Sequence, residues 1–132
     1  MKAANQLIVA GTIGRVAEAI VYLEAHGVRA TTALEVRRGG LAGSTVLDRK
    51  GATMVARDFK PRFRLELHHK DMGIVADAAR EAGVAILMGS RAVQLVACAQ
   101  AREDGALDHS ALLRLALDLS GRGEAPPARP GE

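Results

Sequence analysis

A chain of 132 residues with 48% hydrophobic and 25% charged residues has the composition of a single ordinary globular domain. It contains no run of about 18 consecutive apolar residues and no secretory signal pattern, so neither a membrane span nor secretion is expected. The single cysteine, Cys98, cannot form an internal disulfide, which favours the cytoplasm. Its apolar neighbours predict a buried structural thiol.

The net charge of +3 is modest, but the positive charge is unevenly distributed. Seven basic and only two acidic residues lie between Arg49 and Lys70, and this local excess would attract small anions or phosphates. Nucleic acid is the competing ligand. No series of aromatic side chains interleaves these charges to stack bases, so nucleic-acid binding is not expected.

The first predicted element is a long helix over residues 2–26, which ends at Gly27. Its apolar residues cover most of its circumference, and a helix of that kind is usually buried. Gly11 and Gly14 weaken its helix propensity, so we expect another helix to approach closely there.

The remaining elements are also predicted to be helices, and the predicted class is all-α because no alternating strand pattern is present. Thr31 or Thr32 would cap the second helix, and Asp108 or Ser110 would cap the last one. Residues 51–61 are expected to be irregular. The predicted helices after the first are residues 31–38, 45–50, 62–82 (ended by Gly83), 90–103 and a last stretch that ends at Leu119.

The tail over residues 121–132 has no apolar stripe and is expected to be disordered. One helical domain over residues 1–120 is therefore predicted.

Three polar residues at the start of the first helix form the first candidate site. Lys2, Asn5 and Gln6 follow the spacing that brings side chains onto one helix face. An amine and two amides in one place can hold a carboxylate or hydroxyl and move a proton, provided that burial or nearby cations lower the lysine pKa. The alternative is a solvated lysine with no chemical role.

The predicted helix over 62–82 carries a second candidate group. Phe63 and Asp71 are eight residues apart and can lie near one face, with Lys70 beside Asp71. The alternative is an amphipathic helix with a core phenylalanine and a solvated charge pair.

Neither the histidines nor the glycine-rich segment predicts a metal or phosphate site. Adjacent helical residues such as His68 and His69 point about 100° apart and do not converge on one ion. His109 is better placed at a helix start. The Gly39–Ser44 segment lacks the preceding strand and following lysine of a phosphate-binding loop, and a tight turn against another surface, such as an active-site wall, is expected.

Three stretches together resemble the β-hydroxyacid dehydrogenase family: Lys2–Gln6, Phe63–Asp71 and the segment Arg38–Asp48, which reads RGGLAGSTVLD. The resemblance covers about residues 2–119. It implies a helical C-terminal substrate and dimerisation domain, and hence a homo-oligomer.

The resemblance also implies a role for each candidate residue. Lys2 would be catalytic and protonate the substrate carbonyl oxygen as hydride arrives, and Asn5 or Gln6 would bind the substrate. The remaining roles fall to Phe63 and Asp71, which would line the substrate site, and to Lys70, which would contact NAD or NADP.

The activity implied is that of the branch interconverting 2-hydroxy-3-oxopropionate (tartronate semialdehyde) and D-glycerate, a small-acid substrate pair. A related 3-hydroxyisobutyrate dehydrogenase and a catalytically silent helical dimerisation module remain alternatives. The Gly-x-Gly-x-x-Gly turn of a Rossmann domain is absent. The chain alone is therefore expected to be inactive, and its sequence does not distinguish NADH from NADPH.

Overall fold

Six α-helices and one turn of 3-10 helix make up most of residues 2–123, the part of the chain that the computed structural model describes. The helices are α1 (Lys2–Ala25), α2 (Ala30–Arg38), α3 (Thr45–Val55), α4 (Leu65–Ala82), α5 (Leu87–Ala101) and α6 (Leu112–Leu119), with the 3-10 turn at His109–Ala111. No strand occurs among the described residues. The predicted all-α class is therefore confirmed, and most of the predicted tail, residues 124–132, lies outside the described residues.

Helix α1 is the centre of the fold, because it contacts each of the other five helices. Its buried side chains recur every three or four residues, as expected for one face packed against a core. The fully buried apolar residues of this face are Ala10, Ile13, Ala17 and Ile20. On the opposite face Ile8 and Tyr22 are exposed, so the prediction of burial on nearly every face is wrong there.

By length and composition alone, α1 is also apolar enough to cross a membrane, although it has no uninterrupted apolar run. It is the one such helix among residues 2–123. Its buried face belongs to the core shared with α4, α5 and α6, and the core helix of a globular protein passes the same test.

Two helices are longer or start elsewhere than the sequence predicted. Helix α3 continues past Lys50 to Val55, because Gly51 and Met54 lie buried on its inner face. Helix α5 covers residues 87–101 instead of 90–103.

The predicted helix over 62–82 begins only at Leu65, and the prediction was wrong for its first turn. The backbone N–H groups of Arg62 and Phe63 donate to the carboxylate of Asp108, at 3.1 and 3.0 Å, which holds this segment in a turn. Helix α2 starts at Ala30 with no side-chain cap, so the predicted threonine cap is also wrong.

Glycines end two helices where the sequence predicted an end. Gly27 and Gly83 have φ angles of 71° and 68°, in the left-handed region that glycine tolerates best. Asp108 was predicted as a cap, and its side chain accepts from the N–H of Ser110 at 3.1 Å.

The close approach predicted at Gly11 and Gly14 lies instead at Gly89 of α5. A Cβ atom on Gly89 would come within 2.6 Å of the Leu7 side chain. Gly14 is buried, but a Cβ there would meet Leu95 at an ordinary 3.4 Å.

Two adjoining depressions between α1 and α5, here called the apolar groove, run along the surface of the domain. Their volumes are about 330 and 740 Å³, and the larger extends to α6. Both are lined by Gly14, Glu18, Arg91 and Leu95. Ile8 and Met88 at one end and Tyr22 and Leu119 at the other are exposed apolar residues.

Candidate functional site

The first turns of α1 and the middle of α4 bring four of the predicted residues together. The Gln6 side-chain amide donates to the Asp71 carboxylate, with 2.9 Å between Nε2 and Oδ2. The Lys2 Nζ lies 4.0 Å from the same Oδ2, and Asn5 donates to the Gln6 amide oxygen at 3.3 Å. This group is called the Lys2 cluster below.

Burial differs sharply within the Lys2 cluster. Gln6 is buried and the Asp71 side chain is 17% exposed, whereas the Lys2 side chain is 79% exposed. The carboxylate and the amide are therefore fixed by the fold, and the ammonium group is presented to solvent beside them. An arrangement of this kind can orient a small polar molecule and exchange a proton with it.

Phe63 lies outside α4, in the turn before it, but its position is tightly fixed. Its backbone N–H donates to Asp108 and its carbonyl accepts from the His109 N–H at 2.8 Å. Its ring contacts the rings of His68 and His109, with centroids 5.6 and 5.2 Å apart. Phe63 therefore packs against the histidines.

Lys70 is exposed on α4, next to Asp71 in sequence. No carboxylate of residues 2–123 lies within 4 Å of its ammonium group. An exposed cation of this kind suits a phosphate or another anionic group of a ligand. Nothing within the described residues provides the strand, glycine turn and helix that usually receive a pyrophosphate.

Asp108 organises the loop that packs under the site. Its carboxylate accepts from the Lys50 ammonium at 3.0 Å, from the Ser110 hydroxyl at 2.6 Å and from three backbone N–H groups. Burial alone would raise the pKa of Asp108. The hydrogen bonds from Ser110, from Phe63 and Arg62 and from Lys50 outweigh burial and hold that pKa well below its ordinary value.

Two histidines that the sequence analysis left out of the site connect it to this loop. His68 and His109 are buried, and their Nδ1 atoms lie 2.8 Å apart. The other ring nitrogen of His68 lies 3.1 Å from the backbone carbonyl oxygen of Gln6. The i, i+3 spacing of His68 and Asp71 on α4 could have shown that His68 faces the site, but no sequence signal pairs His68 with His109.

Burial lowers the pKa values of both histidines. For His68, the bond to Gln6 and the charge of Asp71 oppose this effect without cancelling it. For His109, burial and then the nearby Lys50 ammonium lower the pKa to about 4, although the Asp108 carboxylate opposes them. Both rings are therefore neutral at physiological pH.

Other sequence predictions lie away from this site. Cys98 is exposed on α5, so the prediction of a buried thiol is wrong. The Gly39–Ser44 segment borders a cavity against Thr12 to Leu23 of α1, and Thr12 is roughly 15 Å along the helix axis from Lys2. It does not border the Lys2 cluster. No group of three metal-binding side chains occurs within the described part of the chain.

Comparisons with known proteins point to one family. A family model described as "NAD-binding of NADP-dependent 3-hydroxyisobutyrate dehydrogenase" matches residues 1–116. The 2-hydroxy-3-oxopropionate reductase of Escherichia coli (strain K12) is 33% identical over 118 residues, which are 89% of this chain and 40% of that protein. The probable 3-hydroxyisobutyrate dehydrogenase-like 1, mitochondrial, of Arabidopsis thaliana is 34% identical over 117 residues, 89% of this chain and 35% of that protein.

Solved structures agree on the fold. The 3-hydroxyisobutyrate dehydrogenase from Salmonella typhimurium superposes with a TM-score of 0.82 at 24% identity, covering 86% of this chain and 40% of that one. That likeness bears on the fold alone. The Mycobacterium tuberculosis 3-hydroxyisobutyrate dehydrogenase, solved with L-serine, gives a TM-score of 0.79 at 27% identity, covering 86% of this chain and 41% of that one.

This chain spans 40% or less of the length of the two curated relatives named above. The family model matches nearly all of its described residues, and its helices superpose on a helical portion of the solved dehydrogenases. The chain therefore belongs to the β-hydroxyacid dehydrogenase family, as a C-terminal domain of that family.

Proposed function

We propose that this chain is the substrate-binding part of an NAD(P)-dependent oxidoreductase that interconverts 2-hydroxy-3-oxopropionate and D-glycerate. The observation that carries the proposal is the convergence of Lys2, Gln6 and Asp71 from two helices. The identity to the Escherichia coli 2-hydroxy-3-oxopropionate reductase supports the choice of substrate.

Lys2 is the proton donor in this proposal. Reduction of an aldehyde places negative charge on the carbonyl oxygen, and an ammonium group beside that oxygen neutralises the charge by proton transfer. Asp71, 4.0 Å away, keeps the Lys2 side chain near the substrate position. In the reverse direction the neutral amine accepts the proton of the substrate hydroxyl.

The two amides hold the substrate. One N–H of the Gln6 amide is used by Asp71, which leaves the second N–H for a substrate oxygen. Asn5 is exposed beside it and supplies further amide hydrogen-bonding groups. Gln6 is buried, and both the nitrogen and the oxygen of its side-chain amide form hydrogen bonds. It therefore orients the substrate more rigidly than Asn5 does.

A nicotinamide dinucleotide supplies the hydride when it is bound. In this chain Lys70 is the residue that fits such a ligand, as an exposed cation on the same helix as Asp71. We assign the rest of the dinucleotide site to a separate Rossmann domain that would cover the first turn of α1. Covering that turn would also exclude water from Lys2. The cytoplasm is the compartment we propose.

A chimera tests this function. The chain from residue 2 is fused behind the N-terminal part of the Escherichia coli reductase, and reduction of 2-hydroxy-3-oxopropionate is measured with NADH and NADPH. We expect turnover by the chimera and none by the chain alone. A chimera that binds cofactor but does not reduce this substrate contradicts the proposal, and if it also fails to oxidise 3-hydroxyisobutyrate, the catalytically silent dimerisation module is favoured.

A 3-hydroxyisobutyrate dehydrogenase is the second candidate, favoured by the family model and by the Mycobacterium tuberculosis structure. The same chimera is assayed with 3-hydroxyisobutyrate and D-glycerate in the oxidative direction. A higher kcat/KM for D-glycerate supports the first candidate, and a higher value for 3-hydroxyisobutyrate supports the second.

We also infer that two copies of the chain associate through the apolar groove. Ile8 and Met88, at one end of the groove, are 66% and 72% exposed. Glu18 and Arg91 lie in the middle of it, and neither forms an ion pair among residues 2–123. Around a two-fold axis, Glu18 of one copy can meet the partner's Arg91, which makes the surface self-complementary.

A further inference from the structure

The histidine pair, His68 and His109, connects the loop before α6 to α4 and then to α1. Each link is a single buried contact: His109 Nδ1 to His68 Nδ1 at 2.8 Å, and His68 Nε2 to the Gln6 carbonyl at 3.1 Å. Gln6 then reaches Asp71 through its side chain. The chain of contacts therefore ends inside the Lys2 cluster.

Hydrogen-bond chemistry fixes which nitrogen carries each proton. A carbonyl oxygen only accepts, so His68 Nε2 must carry a hydrogen and donate it to Gln6. A neutral imidazole has one N–H, so His68 Nδ1 is bare and must accept. His109 Nδ1 therefore carries the hydrogen that lies between the two rings.

The surroundings favour the neutral form of both rings. Burial is the main cause of the lowered pKa of each histidine. The charged groups around the pair are Asp71 on α4, Lys50 on α3 and Asp108 in the loop, and Lys50 already pairs with Asp108 at 3.0 Å. No carboxylate is bonded to either ring in the described residues, so an imidazolium would lack a direct partner.

We propose that His68 and His109 are positioning residues that hold Gln6 in place for substrate binding, through a relay in which both tautomers are fixed. The inference rests on the function proposed above. The relay runs from His109 N–H to His68, and from His68 N–H to the Gln6 carbonyl. Neither ring touches the Lys2 ammonium group, so the pair acts on the substrate through Gln6.

The first test reads the protons directly in the 132-residue chain. Long-range ¹H–¹⁵N NMR at pH 7 distinguishes protonated from bare ring nitrogens. We expect His68 to carry its proton on Nε2 only and His109 on Nδ1 only. A proton on His68 Nδ1, or on Nε2 of His109 alone, overturns the relay. This result does not depend on any activity.

Two substitutions of His68 separate its two bonds. His68→Gln can keep a donor to the Gln6 carbonyl but loses the acceptor for His109. His68→Asn can keep the acceptor but cannot reach Gln6. His69→Gln, at the neighbouring half-buried histidine, is the control.

In the isolated chain we expect His68→Asn to shift the side-chain amide resonances of Gln6 more than His68→Gln does, with no shift in the control. In the chimera, His68→Asn should lower kcat/KM about tenfold, the effect of one lost hydrogen bond, mainly through KM and with unchanged cofactor affinity. Equal Gln6 spectra in both His68 variants overturn the positioning role. If the wild-type chimera is inactive but the tautomers and spectra are as expected, the proposed function fails and the relay stands.

Discussion

The start of α1 and its outer face differ in which groups they bury and which they expose. Near the start of α1 the fold buries the polar side chains of Gln6 and, packed against it from α4, His68, and both form hydrogen bonds across helices. On the outer face of α1 the fold leaves apolar groups in water, including Ile8 and Tyr22. Buried polar groups must form hydrogen bonds, so the positions of the side chains at the start of α1 are fixed by their partners. Exposed apolar groups require only another apolar surface that removes them from water. The comparison suggests chemistry at one region and association at the other.

Loss of the lysine ammonium should produce the largest effect. In the chimera, Lys2→Ala removes the proposed proton donor and should lower kcat about 100- to 10,000-fold, as general acid–base groups do. Cofactor affinity should be nearly unchanged. Lys70→Ala should instead weaken cofactor binding, and Lys60→Ala, at an exposed lysine outside the site, serves as the matched control.

Asp108, in the loop before α6, should contribute strongly to the free energy of unfolding. Asp108→Ala removes the acceptor of Lys50, Ser110 and three backbone N–H groups, and leaves a mostly buried ammonium unpaired. We expect a loss of about 3–5 kcal/mol in the free energy of unfolding, measured by urea denaturation. Asp48→Ala, which breaks the exposed pair with Arg38, should cost less than about 1 kcal/mol. Similar losses of unfolding free energy in Asp108→Ala and Asp48→Ala would contradict the expectation that the buried ion pair matters more than the exposed one.

The histidine pair predicts a pH dependence of stability. The pKa of His109 is about 4 in the folded state and near its ordinary value of 6.5 when unfolded, so the unfolded state binds more protons between these values. The free energy of unfolding should therefore fall by roughly 3 kcal/mol as pH falls from 6.5 to 4.

The double variant His68→Gln with His109→Asn should flatten the stability curve in that window, and His26→Gln, at an exposed histidine, should not. Asp108 acts at lower pH. Its pKa is depressed in the folded state, so its contribution is complete above about pH 4 and is lost below. If the free energy of unfolding still falls between pH 6.5 and 4 in the double histidine variant, groups other than these two histidines cause the pH dependence.

The smallest expected effect lies in the apolar groove. Met88→Glu places a charge on the proposed contact surface and should shift a dimer toward monomer in sedimentation at about 100 μM, a concentration that populates weak dimers. Val36→Glu, at an exposed position of α2 outside the groove, is the control. Gly14→Leu is less informative, because Gly14 also packs against Leu95 within the chain. A wild-type monomer at that concentration contradicts the proposed association.

Helical spacing alone predicted that Lys2, Asn5 and Gln6 share one face of α1. The expectation that Asp71 belongs to the same site came from the family resemblance, because spacing within α4 does not show which other helix Asp71 faces. The sequence did not predict the turn that holds Phe63, because that turn depends on Asp108, 45 residues away. The His68–His109 contact was missed for the same reason, since it joins residues 41 positions apart. Hydrophobic periodicity shows which face of a helix is buried. It does not show which loop will supply the hydrogen-bond partners of the polar groups on that face.

Amine rescue of Lys2→Ala in the chimera tests the proton-transfer role most directly. A small primary amine can enter the space left by the lysine side chain and donate the proton in its place. We predict that turnover on 2-hydroxy-3-oxopropionate rises in proportion to the added amine in Lys2→Ala, and does not rise in wild type or in Lys60→Ala. A Lys2→Ala variant that keeps kcat within threefold of wild type without amine would contradict the assignment of Lys2.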